Sequence, residues 1–318
     1  MKRIMNFSTA WFDTERYSGN ADLKTFYRSF GLDGLEVIYG GEDKDNLIAA
    51  EDVIGVHLRY FTAWMDLWKG NTKRLLEEYG DYGEIERFYG GRTSAALTEA
   101  FRHNLKFAAS MSPEYLVFHV SDCLLSEAML RRFYYSEEAV VDAAIELVNT
   151  IGEYIEGSPL LLFENLWYSG LTMLAPRLAA RLLEETHYPH TGVMLDTGHL
   201  LNTNTSLRTI DEGVDYIHSV LDQYSDLSFI KGVHLHQSLS GAYSEALMKS
   251  WVPDEGSYSE RRLAVLPHIF QIDTHQPFAS ERVSALLDRI QPEYLVLEQI
   301  SSSRDEHERN LKEQMRYL

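Results

Sequence analysis

The sequence predicts a single (β/α)8 barrel spanning residues 1–318, with long loops after the third and seventh strands. Three observations lead there. Six short apolar runs each close on a side chain able to bind a metal: Val-Ile-Gly-Val-His57, Tyr-Leu-Val-Phe-His119, Leu-Leu-Leu-Phe-Glu164, Gly-Val-Met-Leu-Asp196, Ile-Lys-Gly-Val-His234 and Tyr-Leu-Val-Leu-Glu298. A strand buried on both faces reads as such an unbroken apolar run, and barrel chemistry gathers at the C-terminal strand ends. Strand-like runs also alternate with helical patterns, which implies right-handed crossovers and a parallel sheet. Finally, no Gly-x-Gly-x-x-Gly follows the first strand, which favours a closed barrel over a doubly wound sheet.

In chain order, the first strand is expected at 3–8 and the first helix at 23–30, where Leu23, Phe26, Tyr27 and Phe30 recur at helical spacing. Strands follow at 34–38 and 53–60. An aromatic-rich interruption, 61–92, contains Trp64, Trp68, Tyr79, Tyr82, Phe88 and Tyr89 and reads as a lid or binding loop. A helix at 94–110 leads through Pro113 to a strand at 115–121, and an amphipathic helix at 137–155 to a strand at 160–166. Helix 174–185, strand 191–196, helix 209–224 and strand 229–235 continue the alternation. A second interruption, 238–278, holds Trp251 and the Arg261-Arg262 pair; helix 280–290, strand 294–299 and helix 305–316 close the chain.

Composition limits the partners. With 48 acidic against 29 basic residues the net charge is −19, and no Lys/Arg run is visible. Polyanions are held by clustered cations that displace counterions, so a nucleic-acid substrate is not expected. The lone Cys123 excludes an intramolecular disulfide and points to a reducing compartment. Residues 1–6 read as a strand and not as a signal peptide, and no apolar window reaches transmembrane length. A cytoplasmic enzyme acting on a small molecule is the expectation.

Any one of the six strand-end residues reads equally well as a satisfied polar group. Six together do not, because buried imidazoles and carboxylates cost several kcal/mol unless paired or metal-bound. The residues two positions earlier, Gly55, Val117, Leu162, Met194, Gly232 and Val296, share the barrel-facing direction. All are apolar or lack a side chain, as a packed interior beneath a polar mouth requires. Two motifs add donors. Asp196-Thr-Gly-His199 places a carboxylate and an imidazole three apart, with Gly198 expected to free the backbone. Asp273-Thr-His275 can point both its groups the same way. Mixed imidazole and carboxylate ligation suits zinc or manganese.

The order of these motifs resembles the xylose isomerase-like barrel superfamily that includes endonuclease IV (AP endonuclease family 2). The resemblance covers nearly the whole chain at the level of strand ends. On the endonuclease side it implies nine metal ligands, His57, His119, Glu164, Asp196, His199, His234, Asp273, His275 and Glu298, holding up to three zinc ions that hydrolyse a phosphodiester. On the sugar isomerase and epimerase side it implies one divalent metal on Glu164, Asp196, His234 and Glu298. Glu164 and Glu298 would then be the acid/base pair, with His199 and His236 contacting substrate. The chain departs from the endonuclease pattern in its long gap between His234 and Asp273 and in lacking evident basic DNA-contacting loops.

The five donors beyond the four-residue set tip the expectation toward the hydrolase, with Glu164 bridging ions. Arg59 and Arg92 are candidates to hold a substrate phosphate, and His236 to contact substrate. A remodelling hydrolase of the same superfamily cleaves the nucleotide-loop phosphoester of corrinoids, and the aromatic interruption would suit such a bulky planar ligand. The alternative is a single-metal sugar or sugar-phosphate isomerase or epimerase. Further expectations are that Trp64, Trp68 and Trp251 either pack loops or stack on ligand, that His187, His190, His218 and His307 are surface residues, and that Glu36 is a mouth group or a buried partner for an arginine.

Overall fold

The computed structural model describes residues 1–41, 47–253 and 255–318. Among these, eight parallel strands close a barrel: β1 (Lys2–Ser8), β2 (Gly34–Ile38), β3 (Val53–His57), β4 (Tyr115–His119), β5 (Leu160–Glu164), β6 (Thr191–Asp196), β7 (Ile230–His234) and β8 (Tyr294–Leu297). Each pairs with its neighbours in chain order, and β1 closes the ring by pairing with both β2 and β8. Seven strands, β2 to β8, lie within the expected ranges and β1 begins one residue early; β3, β4 and β5 stop short because the chain leaves the sheet as soon as its donor residue is delivered. Helices Asn20–Ser29, Ser94–Met111, Glu137–Ile151, Pro176–Glu185, Ile210–Leu221, Val283–Ile290 and Arg304–Gln314 form the outer ring. Between β2 and β3 the described residues contain one short 3-10 turn, Ala50–Asp52.

The interior is packed as the alternation of strand side chains requires. Val117, Leu162, Met194 and Val296 are wholly buried beside Ile4 and Tyr115. Two of the six interior positions are glycines because neighbours fill their space. A Cβ on Gly55 would lie 2.2–2.5 Å from the Tyr115 ring, and one on Gly232 would lie 2.5 Å from Met194 Sδ. The register then sets the donors side by side above this layer, His119 opposite Glu164 and Asp196 opposite His234.

The two long interruptions are not loops. The first folds into helices Met65–Trp68, Thr72–Tyr79 and Tyr82–Tyr89; the second two of these are capped by Asn71 and Asp81, which accept from the backbone N–H groups of Arg74 and Glu84. The second yields Gly241–Ser250 and Tyr258–Ile272, the latter opened by a Ser257/Glu260 capping box. Their aromatics pack on each other: the Tyr79 and Phe88 rings meet Tyr258 at 4.2 and 5.4 Å. Tyr79 and Phe88 are therefore spent on joining the insertions, and the expectation that the aromatic residues of 61–92 face a planar ligand is corrected. Trp64 and Trp68 donate their indole N–H groups to Ser121 O and Glu146, and Trp251 packs against the cluster of Ala128, Met129 and Val265, so of the two expected roles these residues take loop packing.

Candidate metal centre

Ten side chains meet at the C-terminal rim of the barrel in three neighbouring groups, the first two sharing Glu164: His57, His119 and Glu164; Glu164, Asp196, His234 and Glu298; His199, His236, Asp273 and His275. Within each group the donor atoms lie within 4.8 Å of one another. The structure thus brings all nine proposed ligands together and adds His236. Glu164 is shared by two groups through different oxygens. Its Oε2 faces His57 Nε2 at 3.0 Å and His119 Nε2 at 3.2 Å, while Oε1 faces His199 Nδ1 at 3.2 Å and His234 Nδ1 at 3.3 Å.

The rings are held from behind. His57 Nδ1 lies 2.9 Å from Leu58 O, His199 Nδ1 2.9 Å from Asn165 O, and His275 Nδ1 3.1 Å from Glu298 O. A ring whose Nδ1–H donates to a carbonyl presents a bare Nε2, and such contacts fix both tautomer and orientation of metal-binding histidines. His234 is turned the other way: its Nε2 lies 3.1 Å from buried Glu36, leaving Nδ1 3.0 Å from Glu298 Oε2. Glu36 is held in turn by the Tyr115 O–H at 2.8 Å. Its partners are thus a tyrosine and a histidine, not an arginine.

Local backbone explains the two motifs. Asp196 caps the short helix Thr197–Asn202, its carboxylate accepting the His199 N–H at 2.6 Å, so carboxylate and imidazole turn inward together. Gly198 is required for close approach: a Cβ there would stand 2.0–2.9 Å from the His236 ring. Its φ is not positive, so the expected gain in backbone freedom is not its role. Asp273 ends helix Tyr258–Ile272, and His275 adopts the left-handed φ of +45°, sparsely populated for such a residue. That turn sets His275 Nε2 2.8 Å from Asp273 Oδ2 and stacks its ring 3.8 Å from that of His236.

Charge is the decisive test of fit. Glu164, Asp196, Asp273, Glu298 and Glu36 form no ion pair with lysine or arginine among the described residues; all their ionic contacts are to imidazoles. Burial raises the Glu164 and Asp196 carboxyls, but the imidazoles of His119 and His234, and of His199 and His236, overrule it and hold both well below the usual carboxylate range. Burial lowers His275 while the Asp273 carboxylate beside it raises it, with a net result of about 9. Several buried atoms at the rim still lack a hydrogen-bond partner: Glu36 Oε1, Glu164 Oε1, His119 Nδ1, His234 Nδ1 and Glu298 Oε2. Buried polar atoms that converge on one another without hydrogen-bond geometry, in an excess of negative charge, fit divalent cations.

Above the centre lies a cavity of about 400 Å³. His57, His119, His199, Asp273, His275 and Glu298 form its floor. Its walls come from the helix Leu125–Leu130, the residues Leu166, Trp167 and Tyr168 after β5, and helix Tyr258–Ile272. Arg262 is the one cation on the wall among the described residues. Tyr60 packs 4.4 Å from His119 and Trp167 5.1 Å from His199. Of the wall residues only Arg262 stood out in the sequence, and without a role; for the rest, the pair Trp167-Tyr168 directly after the Glu164 strand was the available signal.

Three expected substrate contacts are displaced. Arg92 lies off the cavity, exposed, paired with Glu86 at 2.7 Å and over the Tyr82 ring. Arg59 lies over Phe61 beside a smaller crevice and does not line the cavity. His236 is wholly buried behind His275, its Nε2 2.9 Å from Asp196 Oδ2. His307, expected at the surface, is buried against Phe26.

No protein-family model and no curated protein matches the sequence. Solved structures share the fold. Endonuclease IV from Thermus thermophilus is 17% identical with a TM-score of 0.54, covering 100% of this chain and 98% of the other. A sugar phosphate isomerase/epimerase from Parabacteroides distasonis is 11% identical with a TM-score of 0.50, covering 100% and 93%. The probable 3-DHS dehydratase of Bacillus anthracis, involved in petrobactin synthesis, is 11% identical with a TM-score of 0.50, covering 99% and 98%. The shared feature is the closed parallel (β/α)8 barrel. No helix of the described residues is long and apolar enough to cross a membrane.

Proposed function

We propose that this chain is a divalent-metal-dependent hydrolase that cleaves a phosphoester in a small molecule. One observation carries the reading: the donors divide into three groups, two of them sharing Glu164 and the third adjoining it through His199 Nδ1, 3.2 Å from Glu164 Oε1. A single tetrahedral zinc takes four donors, and ten exceed what one ion of any kind uses. The imidazole-rich set suits zinc or manganese. Clustered divalent ions of this type acidify bound water and neutralise charge on phosphoryl oxygens.

The protein's own part follows from the cavity. In the hydrolysis, the oxygen of water bonds to phosphorus and the phosphorus–oxygen bond to the leaving alcohol breaks. A proton from the water ends on that alcohol. Glu298, on the cavity floor, is placed to hold this proton between the two events. Arg262 supplies positive charge toward the phosphate, and the apolar walls exclude bulk water. Endonuclease IV, the neighbour above, makes phosphoester chemistry on this fold a consistent choice. The single basic residue on the wall and the charge of −19 support a small substrate over nucleic acid. With the aromatic insertion packed away, nothing about it favours a corrinoid.

A single-metal isomerase or epimerase is the second reading, supported by the fully buried group of Glu164, Asp196, His234 and Glu298. It is the weaker one, because a sugar needs many hydrogen-bonding partners and the cavity walls offer few.

The test is an elemental metal count on protein purified without chelator, beside hydrolysis of bis(4-nitrophenyl) phosphate. Two or three ions per chain and metal-dependent release of nitrophenolate are expected. One ion per chain at full activity, or exchange of a sugar's carbon-bound hydrogen with solvent, would overturn the hydrolase.

A further inference from the structure

We infer that the phosphoester taken by this site carries a bulky apolar group, of the size of a fused aromatic ring system, and that this group sits between helices Leu125–Leu130 and Tyr258–Ile272. The inference rests on the hydrolase reading for its phosphoester and on the cavity for everything else. A second hydrophobic cluster, separate from the barrel cores, is built on the rim from Ala128, Met129, Leu166, Trp167, Val265 and neighbouring side chains. It joins three connections that are far apart in sequence, those after β4, β5 and β7. The cavity opens between this cluster and the metal centre, so its floor is ionic and its walls are apolar.

Such walls do not suit a sugar or a nucleotide backbone, whose hydroxyls and phosphates would lose water without gaining partners. They suit apolar surface, which gains roughly 25 cal/mol per Å² on leaving water. The volume of about 400 Å³ falls in the range of pockets for drug-sized ligands. Trp167 adds a specific feature: its indole N–H is buried, has no hydrogen-bond partner, and belongs to a cavity-lining side chain. An oxygen or nitrogen acceptor on the apolar group would satisfy it. Ile300, partly exposed on the loop after β8, extends the apolar lining outward to the rim.

The experiment is calorimetric binding to metal-loaded protein of two phosphinates, dimethylphosphinate and methyl(2-naphthylmethyl)phosphinate, whose phosphorus–carbon bonds give the hydrolase no ester to cleave. The naphthyl phosphinate is expected to bind at least tenfold more tightly, with a negative heat-capacity change that marks burial of apolar surface. Ala128→Trp fills the cavity and should abolish that preference while the metal count stays the same. Leu266→Glu, at a half-buried wall position that tolerates a charge more easily, should do the same if Ala128→Trp fails to fold. Equal affinities for the two phosphinates, or a preference that survives both substitutions, would overturn the inference. The reaction is read separately, by phosphodiester hydrolysis. Naphthyl preference without hydrolysis sinks the hydrolase and keeps the apolar pocket; hydrolysis without naphthyl preference does the reverse.

Discussion

Glu36 lies 3.1 Å from Nε2 of His234, and both side chains are wholly excluded from solvent. The two residues come from β2 and β7, on different sides of the barrel, and meet across its interior. Tyr115, on β4, completes the chain by donating its O–H to the same carboxylate. The outcome is that His234 turns Nδ1, and no other atom, toward Glu164, Asp196 and Glu298.

Replacing Glu36 should therefore loosen metal without touching a ligand. Glu36→Gln is expected to lower affinity about 10–100-fold, the usual cost of losing a partner that orients a metal-binding histidine. Tyr115→Phe should cost less. Chelator competition followed by elemental analysis measures both, and unchanged affinity in Glu36→Gln would show that the carboxylate only fills space.

Metal removal should destabilise the fold, because it leaves the rim carboxylates facing one another without cations. Ligand at 100 times its dissociation constant contributes about 2.7 kcal/mol per site. A loss of that size moves the Tm of a 318-residue protein by about 4 °C. The expected result is a lower Tm after dialysis against chelator, restored by zinc or manganese. A Tm indifferent to chelator would argue that the centre is held by hydrogen bonds alone.

Gly198→Ala tests the packing of the rim. The added methyl would stand 2.0–2.9 Å from the His236 ring, which is itself stacked on His275 and bonded to Asp196. Overpacking of this kind costs about 1–3 kcal/mol. Alongside it, the metal count should fall, since the third donor group contains His236 and His275. A variant with full metal content and unaltered Tm would mean the loop can yield.

Arg92→Ala should be silent, within about ±0.5 kcal/mol of stability and with kcat/KM unaltered, because its guanidinium is engaged by Glu86 at the surface. Arg262→Ala should instead raise KM for a phosphodiester about tenfold, a loss of one charge-assisted contact at roughly 1.4 kcal/mol. Steady-state kinetics of the two variants decide which arginine serves the cavity; the opposite pattern would return the role to Arg92.

His307 gives the acid limb of stability a named contributor. Burial, reinforced by the nearby charge of Arg16, lowers its imidazole to about 4. At neutral pH it is uncharged in both folded and unfolded chains and contributes nothing. As the pH falls below the unfolded value near 6.5 the unfolded chain takes up a proton that the folded one refuses. Stability is then lost progressively down to about pH 4, by roughly 3 kcal/mol in all. In His307→Met that part of the loss should vanish when unfolding by urea is compared between pH 4 and 7.5. Parallel pH curves for the two proteins would remove His307 from the account.

Strand ends were legible in the sequence because a barrel strand buried on both faces has to be apolar throughout, so a terminal His57, Glu164 or Asp196 stands out against it. Period-2 alternation then identified the layer beneath. The helices inside the two interruptions were not legible as part of the site, because their apolar residues pack on another interruption far away in the chain, as Tyr79 does on Tyr258. Arg92 and His236 carried suitable chemistry, but direction and depth, not residue type, decide what a side chain reaches.

The amino-acid order alone determined the barrel and the identity of the converging donors, since both follow from local hydrophobic pattern and from the expense of burying polar groups singly. Only the tertiary structure decided that Glu164 divides its oxygens between two groups, that Glu36 aims His234, and that the floor of charge lies under apolar walls. Those relations join residues on different strands and connections, 198 positions apart for Glu36 and His234, and no local pattern of side chains encodes a distance across a barrel.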